Sequence, residues 1–264
     1  MTELISDPQL IAQAAKQFAE EPAVVVTTQA PSDTEVRLPG GFINREGALI
    51  KYAEVRELNG ADEETIARSG STGRALATML QRGLVSLGMD STSKEDLDTL
   101  LSGDRDAILI GIRKATFGST IDFTITCPHC KVEGTVTIDL DKDIPVKQLA
   151  DPLEDRNWTY ESKLGPVTVT LPTGAVQRRI LENSEKTSSE LNTILLAGCV
   201  GSVNGSPSLG ASTVLKLSWK DREKLVEEIL ERNPGPRLGE VKKDCEACGE
   251  SIDLPLTLAA LFRV

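Results

Sequence analysis

The chain has 264 residues and a formal net charge of −11, with 39% hydrophobic, 26% charged and only 3% aromatic residues. That is an ordinary composition for a soluble globular protein, with a core resting on Leu, Ile, Val and Ala. The acidic surplus argues against a nucleic-acid binder, which needs basic residues to neutralise phosphates. The longest apolar run, Ile194 to Val200, falls far short of the ~20 residues a membrane helix needs.

The first residues, Met1 to Pro8, lack the basic-then-apolar pattern of a secretory signal, so the expectation is a protein that stays in the cytosol where it is made. Residues 7–20 predict an amphipathic helix: Ser6 and Asp7 suit its N-cap, Pro8 its first turn, and Leu10, Ile11, Ala14, Ala15 and Phe18 share one face. Glu21 to Asp33 reads as a linker, so residues 1–33 form an arm that either engages a partner or packs back on its own domain. Glu35 to Leu58 predicts a β-hairpin, with turn chemistry at Gly40-Gly41 and at Asn44 to Gly47. Asn59-Gly60-Ala61-Asp62 then opens a helix. Further helices are expected at Thr72–Leu87, Ser93–Leu101 and Asp104–Gly118, and strands at Ile121–Thr126 and Val132–Leu140.

The second half follows the same plan. Trp158 to Leu171 reads as a hairpin, Pro172 to Ala175 opens a helix, and helices follow at Leu191–Val200 and Asp221–Arg232. Strand-like Leu238–Lys242 and Ser251–Leu256 come next, and the chain ends on the apolar segment Leu258–Val264.

The correspondence between the halves can be counted. Gly60 and Gly174 each follow a strand and open a helix; Gly83 lies twenty-three residues after the first and Gly198 twenty-four after the second. Asp104-Arg105 pairs with Asp221-Arg222, and from each arginine apolar residues fall at +3, +4 and +7 and a glycine at +13, Gly118 or Gly235. A cysteine follows nine or ten residues later, and Ile138-Asp139-Leu140 matches Ile252-Asp253-Leu254. An apolar stripe alone is what any amphipathic helix shows, but this ordered series of glycines, Asp-Arg pairs and cysteine pairs points to an internal duplication. On that alignment Cys199 stands opposite Leu84 and reads as a small buried apolar residue.

The other four cysteines form two pairs, Cys127-Pro-His-Cys130 and Cys245-Glu-Ala-Cys248. In a reducing compartment such pairs favour metal over disulfide, and a two-residue spacer lets both sulfurs of a pair reach one ion. Cys127, Cys130, Cys245 and Cys248 are therefore the expected ligands of one structural Zn²⁺. Gly249 suits the turn after the second pair, where Lys131 stands in the first. His129 lies inside a spacer and is not counted as a ligand. An iron–sulfur cluster uses the same ligands and stays open on sequence alone; a redox dithiol would call for a thioredoxin-like βαβ pattern, which neither pair has.

No catalytic constellation stands out. The only histidine sits in a knuckle, so no Ser-His-Asp or Cys-His arrangement can form, and no Gly-Lys-Ser/Thr phosphate loop is present. The Asp-Arg pairs, placed at helix starts, read as capping and dipole compensation. The expectation is a protein that is not an enzyme.

Three stretches taken together carry a family resemblance: Val55-Arg-Glu-Leu-Asn-Gly-Ala-Asp-Glu-Glu64, Gly103-Asp-Arg-Asp-Ala-Ile-Leu-Ile-Gly-Ile-Arg-Lys-Ala-Thr-Phe-Gly118, and Cys127-Pro-His-Cys130. The chain resembles the baseplate hub subunit or hub-assembly chaperone proteins of contractile-tailed, T-even-like bacteriophages, over roughly residues 34–264. The resemblance implies a non-enzymatic role in building the tail baseplate inside the infected bacterium, as a chaperone or as a virion component, with other tail and baseplate proteins as partners. The expected fold is α+β: the arm 1–33, a first repeat 34–150 and a second repeat 151–264, each a hairpin, helices and a knuckle, sharing one zinc-ribbon-like site of four cysteines. The rival reading is a zinc-ribbon adaptor in transcription or another nucleic-acid process.

Overall fold

A computed structural model describes residues 34–254 and 256–262; the expected helix 7–20 and its linker lie outside the described residues. The chain is mixed α and β. A four-stranded antiparallel sheet in the order β1-β2-β3-β4 is built from Glu35–Ile43, Leu49–Val55, Leu84–Leu87 and Asp90–Ser91. Helices α1 (Gly60–Ala67) and α2 (Thr72–Gly83) interrupt it, and α3 (Lys94–Thr99) and α4 (Ser102–Phe117) follow. A hairpin of β5 (Thr120–Thr126) and β6 (Glu133–Asp139) leads to the short strand β7 (Val146–Lys147).

The order then recurs. A second sheet, in the order β8-β9-β10-β11, comprises Asn157–Ser162, Gly165–Thr170, Val200–Val203 and Ser206–Pro207. It is interrupted by α5 (Gly174–Glu182) and α6 (Ser188–Cys199) and followed by α7 (Ala211–Val214) and α8 (Trp219–Arg232). Strand β12 (Gly235–Pro236) pairs back to β7; β13 (Val241–Asp244) and β14 (Ser251–Leu254) form a last hairpin, and α9 (Leu258–Phe262) closes the described chain.

Two cores result. One gathers Leu38, Val55, Leu80, Ile108, Ile112 and Ile138 and takes in Val241, Ile252 and Leu261 from the far end of the chain. The other is built around Val167, Val169, Leu196, Leu225 and Ile229. The last hairpin thus packs with the first core. Arg113 anchors the segment behind it, donating from Nε to the carbonyl of Leu261 at 2.9 Å.

Local chemistry explains most boundaries. Asn59 caps α1 by accepting N–H bonds from Ala61 and Asp62, while the Asp62 carboxylate accepts the Asn59 N–H at 3.1 Å, a reciprocal capping box. Ser93 with Asp96 and Thr187 with Glu190 do the same for α3 and α6.

Several expected boundaries shift. The predicted helix 72–87 ends at Gly83, and Leu84–Leu87 turns directly into β3; likewise α6 stops at Cys199 and β10 begins at Val200. No glycine–proline turn separates helix from strand in either place, so one apolar run spans both. Gly40-Gly41 lies within β1 and makes no turn: Gly41, at φ +72°, sits where the β1–β2 register slips between Arg37 and Phe42, a bulge that glycine permits. The hairpin turns at residues 44–47 instead, where Ala48 N–H donates to Asn44 Oδ1. Leu238–Glu240 is a 3₁₀ turn, and the strand starts only at Val241.

Of the two Asp-Arg pairs only the second joins a side-chain cap: the Ser218 hydroxyl donates to Asp221 Oδ2 at 2.7 Å and the Asp221 N–H donates to Ser218 Oγ at 3.2 Å, whereas Leu101 offers Asp104 no such partner. Asp104 and Asp221 are each the third residue of their helix, after N-cap positions Leu101 and Ser218. Both carboxylates reach outward to a hairpin: Asp104 accepts the Gly40 N–H at 2.7 Å, and Asp221 accepts the Lys163 N–H at 3.3 Å and the Tyr160 hydroxyl at 3.3 Å.

Candidate metal centre

Each cysteine pair sits in the loop of a two-stranded hairpin, between β5 and β6 or between β13 and β14. The two loops share one hydrogen-bond pattern. Cys127 N–H donates to the Val132 carbonyl and Lys131 N–H to the Cys127 carbonyl; Cys245 N–H donates to the Glu250 carbonyl and Gly249 N–H to the Cys245 carbonyl. The residue after each pair takes a left-handed conformation, Lys131 at φ +63° and Gly249 at φ +74°. Glycine does this freely and lysine at a modest cost. The turn bends each loop so that both its sulfurs face the same way.

The two loops meet. Cys127 Sγ lies 3.8 Å from Cys248 Sγ, Cys130 Sγ lies 3.8 Å from Cys245 Sγ, and all four sulfurs fall within 4.8 Å of one another. An ion held about 2.3 Å from four sulfurs in a tetrahedron sets those sulfurs about 3.8 Å apart. The spacing therefore suits a tetrahedral metal–thiolate centre, and these four cysteines could hold a metal ion. S–S bonding needs about 2.05 Å, so the sulfurs stand apart as thiols. His129 is exposed and lies outside the cluster.

The site is built at the margin of the first core. Cys127 and Cys245 are buried, Cys130 is half-buried and Cys248 is exposed. A groove of about 250 Å³ beside it is lined by Ile125, Val132, Val136 and Ile252. The backbone N–H of Cys130, helped by that of His129, lowers the Cys127 thiol to about 6. At Cys248 the Glu250 N–H favours the thiolate, but partial desolvation of this exposed residue's sulfur and the three neighbouring sulfurs push it up to about 12. Crowded thiols that resist joint ionisation are the electrostatic complement of a cation, whose charge would let all four deprotonate. Cys199 is far from this chemistry: it is wholly buried in the second core, and burial drives its thiol up to about 12.

A second cluster of acids does not compete. Asp139, Asp141 and Asp143 recur at alternate positions, but each carboxylate meets an ammonium: Asp139 the Lys142 Nζ at 2.7 Å, Asp143 the Lys243 Nζ at 2.6 Å, and Asp141 that of Lys114.

Sequence reasoning passed over a surface. Leu209, Leu215 and Trp219 are exposed at 81%, 58% and 80%, and Trp219 borders a cleft of about 350 Å³ that Leu217, Arg222 and Glu223 line with Ser189 and Asn192. The signal was present: Trp219 opens a helix whose buried stripe is Leu225 and Ile229, and it is out of phase with that stripe. No helix among the described residues is long and apolar enough to cross a membrane.

No curated protein and no solved structure matches the chain. A family model described as T4 bacteriophage base plate protein matches residues 54–251, which is 198 of 264 residues and spans both cysteine pairs. The chain belongs to the T4 bacteriophage base plate protein family.

Proposed function

We propose that the protein is a non-enzymatic hub component of the phage tail baseplate, acting in assembly or in the finished structure, on a scaffold stapled by one structural Zn²⁺. The observation that carries this reading is the meeting of two knuckles, with Cys127 and Cys245 separated by more than a hundred residues, in a four-sulfur cluster of tetrahedral size within a baseplate-family chain. Four protein thiolates fill a tetrahedral shell and leave no position for water or substrate, so the ion would stabilise the fold and do no chemistry. Its binding energy would become folding energy.

The scaffold is read as two units, 34–150 and 151–264, diverged from one ancestor and following the arm 1–33. Three correspondences support this. The strand–helix order and the sheet order β1-β2-β3-β4 recur in β8-β9-β10-β11. The two knuckles have matching hydrogen bonds. Asp104 and Asp221 occupy the same helix position, and each takes an N–H from the first hairpin of its own unit.

Partners would be other tail and baseplate proteins, met in the host cytoplasm during assembly and, if the protein stays, in the virion; the amphipathic segment 7–20 offers one contact. The net charge of −11 sets the reading against nucleic acid. Co-expression with the hub and tube proteins of the same phage tests it. Stable co-purification with at least one of them is expected; recovery with none, or salt-sensitive binding to DNA, counts against it.

A further inference from the structure

One part of the joint between the two units brings different faces of the two together. The α3–α4 corner of the first unit receives the start of α5 from the second. Gly174 N–H donates to the Leu100 carbonyl at 2.7 Å, Ser102 N–H donates to the Pro172 carbonyl at 2.9 Å, and Leu101 bridges Thr173. Side chains finish the joint: Gln177 Nε2 donates to Asp106 Oδ1 at 2.6 Å and Arg178 pairs with Asp98 at 2.7 Å. The fit is close. A Cβ on Gly174 would lie 2.2 Å from the Leu97 carbonyl oxygen and 2.4 Å from Arg105 Nη1.

Moved by the 117 residues that separate Asp104 from Asp221, the receiving residues Leu100, Ser102, Arg105 and Asp106 become Leu217, Trp219, Arg222 and Glu223. These four line the open cleft of about 350 Å³ on the second unit. Its other wall, Ser189 and Asn192 on α6, stands in the place of α2, against which Leu181 of α5 packs at Gly73. The inserted element has an unused counterpart too. Gly60, equivalent to Gly174, is exposed and has no atom within 4 Å of an added Cβ, and Ala61 beside it is exposed.

We infer that the Trp219–Arg222 cleft of one chain receives the start of α1, around Gly60 and Ala61, of a second copy, so that copies join head to tail through a repeat of the internal joint. Such a contact is heterologous and builds a ring or a filament according to its rotation. Much of the internal joint is backbone to backbone, which carries over despite different side chains. Charge also fits: Lys216, Lys220 and Lys224 are exposed and adjoin the lining residues Leu217, Trp219 and Glu223 in sequence, and Glu63 and Glu64 are exposed on the first turns of α1. Trp219 supplies the large rigid anchor that such contacts favour. Both side-chain pairs differ from the internal joint: Glu63 would face Glu223 where Gln177 meets Asp106, and Glu64 would face Leu215 where Arg178 meets Asp98.

The inference rests on the two-unit reading above. The test is sedimentation of the full chain across a concentration series, with W219E and A61R, both at exposed positions. The wild-type chain is expected to form oligomers that grow with concentration, and each variant alone to be monomeric. An equimolar mixture should give a dimer and nothing larger, because W219E still offers α1 and A61R still offers the cleft. E223Q should tighten association. A photo-cross-linking residue in place of Trp219 should attach to residues 58–67 of another chain. A wild-type monomer, oligomers that persist in both variants, or a cross-link to residues 7–20 would overturn the inference. Metal content tests the staple of the proposed function separately and is unaffected by either variant. A monomeric chain with one bound metal would overturn the docking alone.

Discussion

Gly103 and Gly235 touch backbone to backbone: a Cβ on Gly235 would lie 2.6 Å from the Gly103 Cα, and one on Gly103 would lie 1.6 Å from the Pro234 carbonyl oxygen. This crossing lets the start of α4 pass beneath the segment that carries the chain from α8 back to the first core. Gly235 also has φ +126°, which only glycine adopts without strain.

Gly103→Ala should therefore cost more than helix propensity would return. Backbone has to move on one side or the other, and a loss of about 3 kcal/mol or more is expected in chemical denaturation. Gly134→Ala, in β6 with nothing within 4 Å, serves as the control and should stay within about 0.5 kcal/mol of the parent. Equal effects at the two sites would mean that the crossing tolerates a side chain.

Asp104 makes stability depend on pH. It is wholly buried, and burial raises its carboxyl from 3.8 to about 7, against the opposing pull of the Gly40 N–H and of Arg156. A carboxyl raised in the folded state binds its proton more tightly there than in the unfolded chain. Its contribution is full below about pH 4 and is lost as pH rises toward 7, by up to about 1.4 kcal/mol per pH unit. Asp106, raised to about 6 by burial, acts in the same direction. Asp104→Asn keeps an acceptor for Gly40 and cannot ionise, so unfolding curves from pH 4 to 8 should flatten. An unchanged pH slope would show that Asp104 is not the source.

Arg156 is the counterpart of that carboxylate. It donates to the Gly40 carbonyl at 3.0 Å and to the Gly41 carbonyl, holding the bulge of β1. Arg156→Ala should cost about 1.5–3 kcal/mol and move the Asp104 inflection to higher pH, because a stabilising positive charge is gone. In an Asp104→Asn background that upward movement should vanish. If it persists, some other group titrates there.

How far the sequence revealed this can be judged from particular residues. The knuckles were legible, because a short spacer between two strands leaves sulfurs little choice, and the glycine after Cys248 marks the turn. Helices α1 and α8 were legible from caps and periodicity. Strands β3 and β10 were not, since Leu84 and Val200 continue the apolar runs of the helices before them and only pairing with β2 or β9 makes them strands. The hairpin contacts of Asp104 and Asp221 were hidden for a related reason: a carboxylate in a first helical turn signals capping and dipole compensation, which Asp221 does join through Ser218, and says nothing of the hairpin N–H that each also accepts. Packing of the last hairpin into the first core is a contact across the whole chain, which no local pattern encodes.

The proposed metal staple predicts an asymmetry among the cysteines. Cys130→Ser or Cys248→Ser should abolish metal binding. Structural zinc supplies on the order of 10 kcal/mol, comparable to the whole stability of a domain, so these variants should unfold or aggregate. Cys199→Ala removes only a buried sulfur, should cost about 1–2 kcal/mol and should leave metal content unchanged. Metal loss in Cys199→Ala would place a ligand where the structure has none.

The most direct measurement is metal analysis of the purified chain combined with X-ray absorption at the metal edge. The account predicts one zinc per chain with four sulfur neighbours at about 2.3 Å. A metal-free folded chain, or a shell containing nitrogen or oxygen, would contradict it.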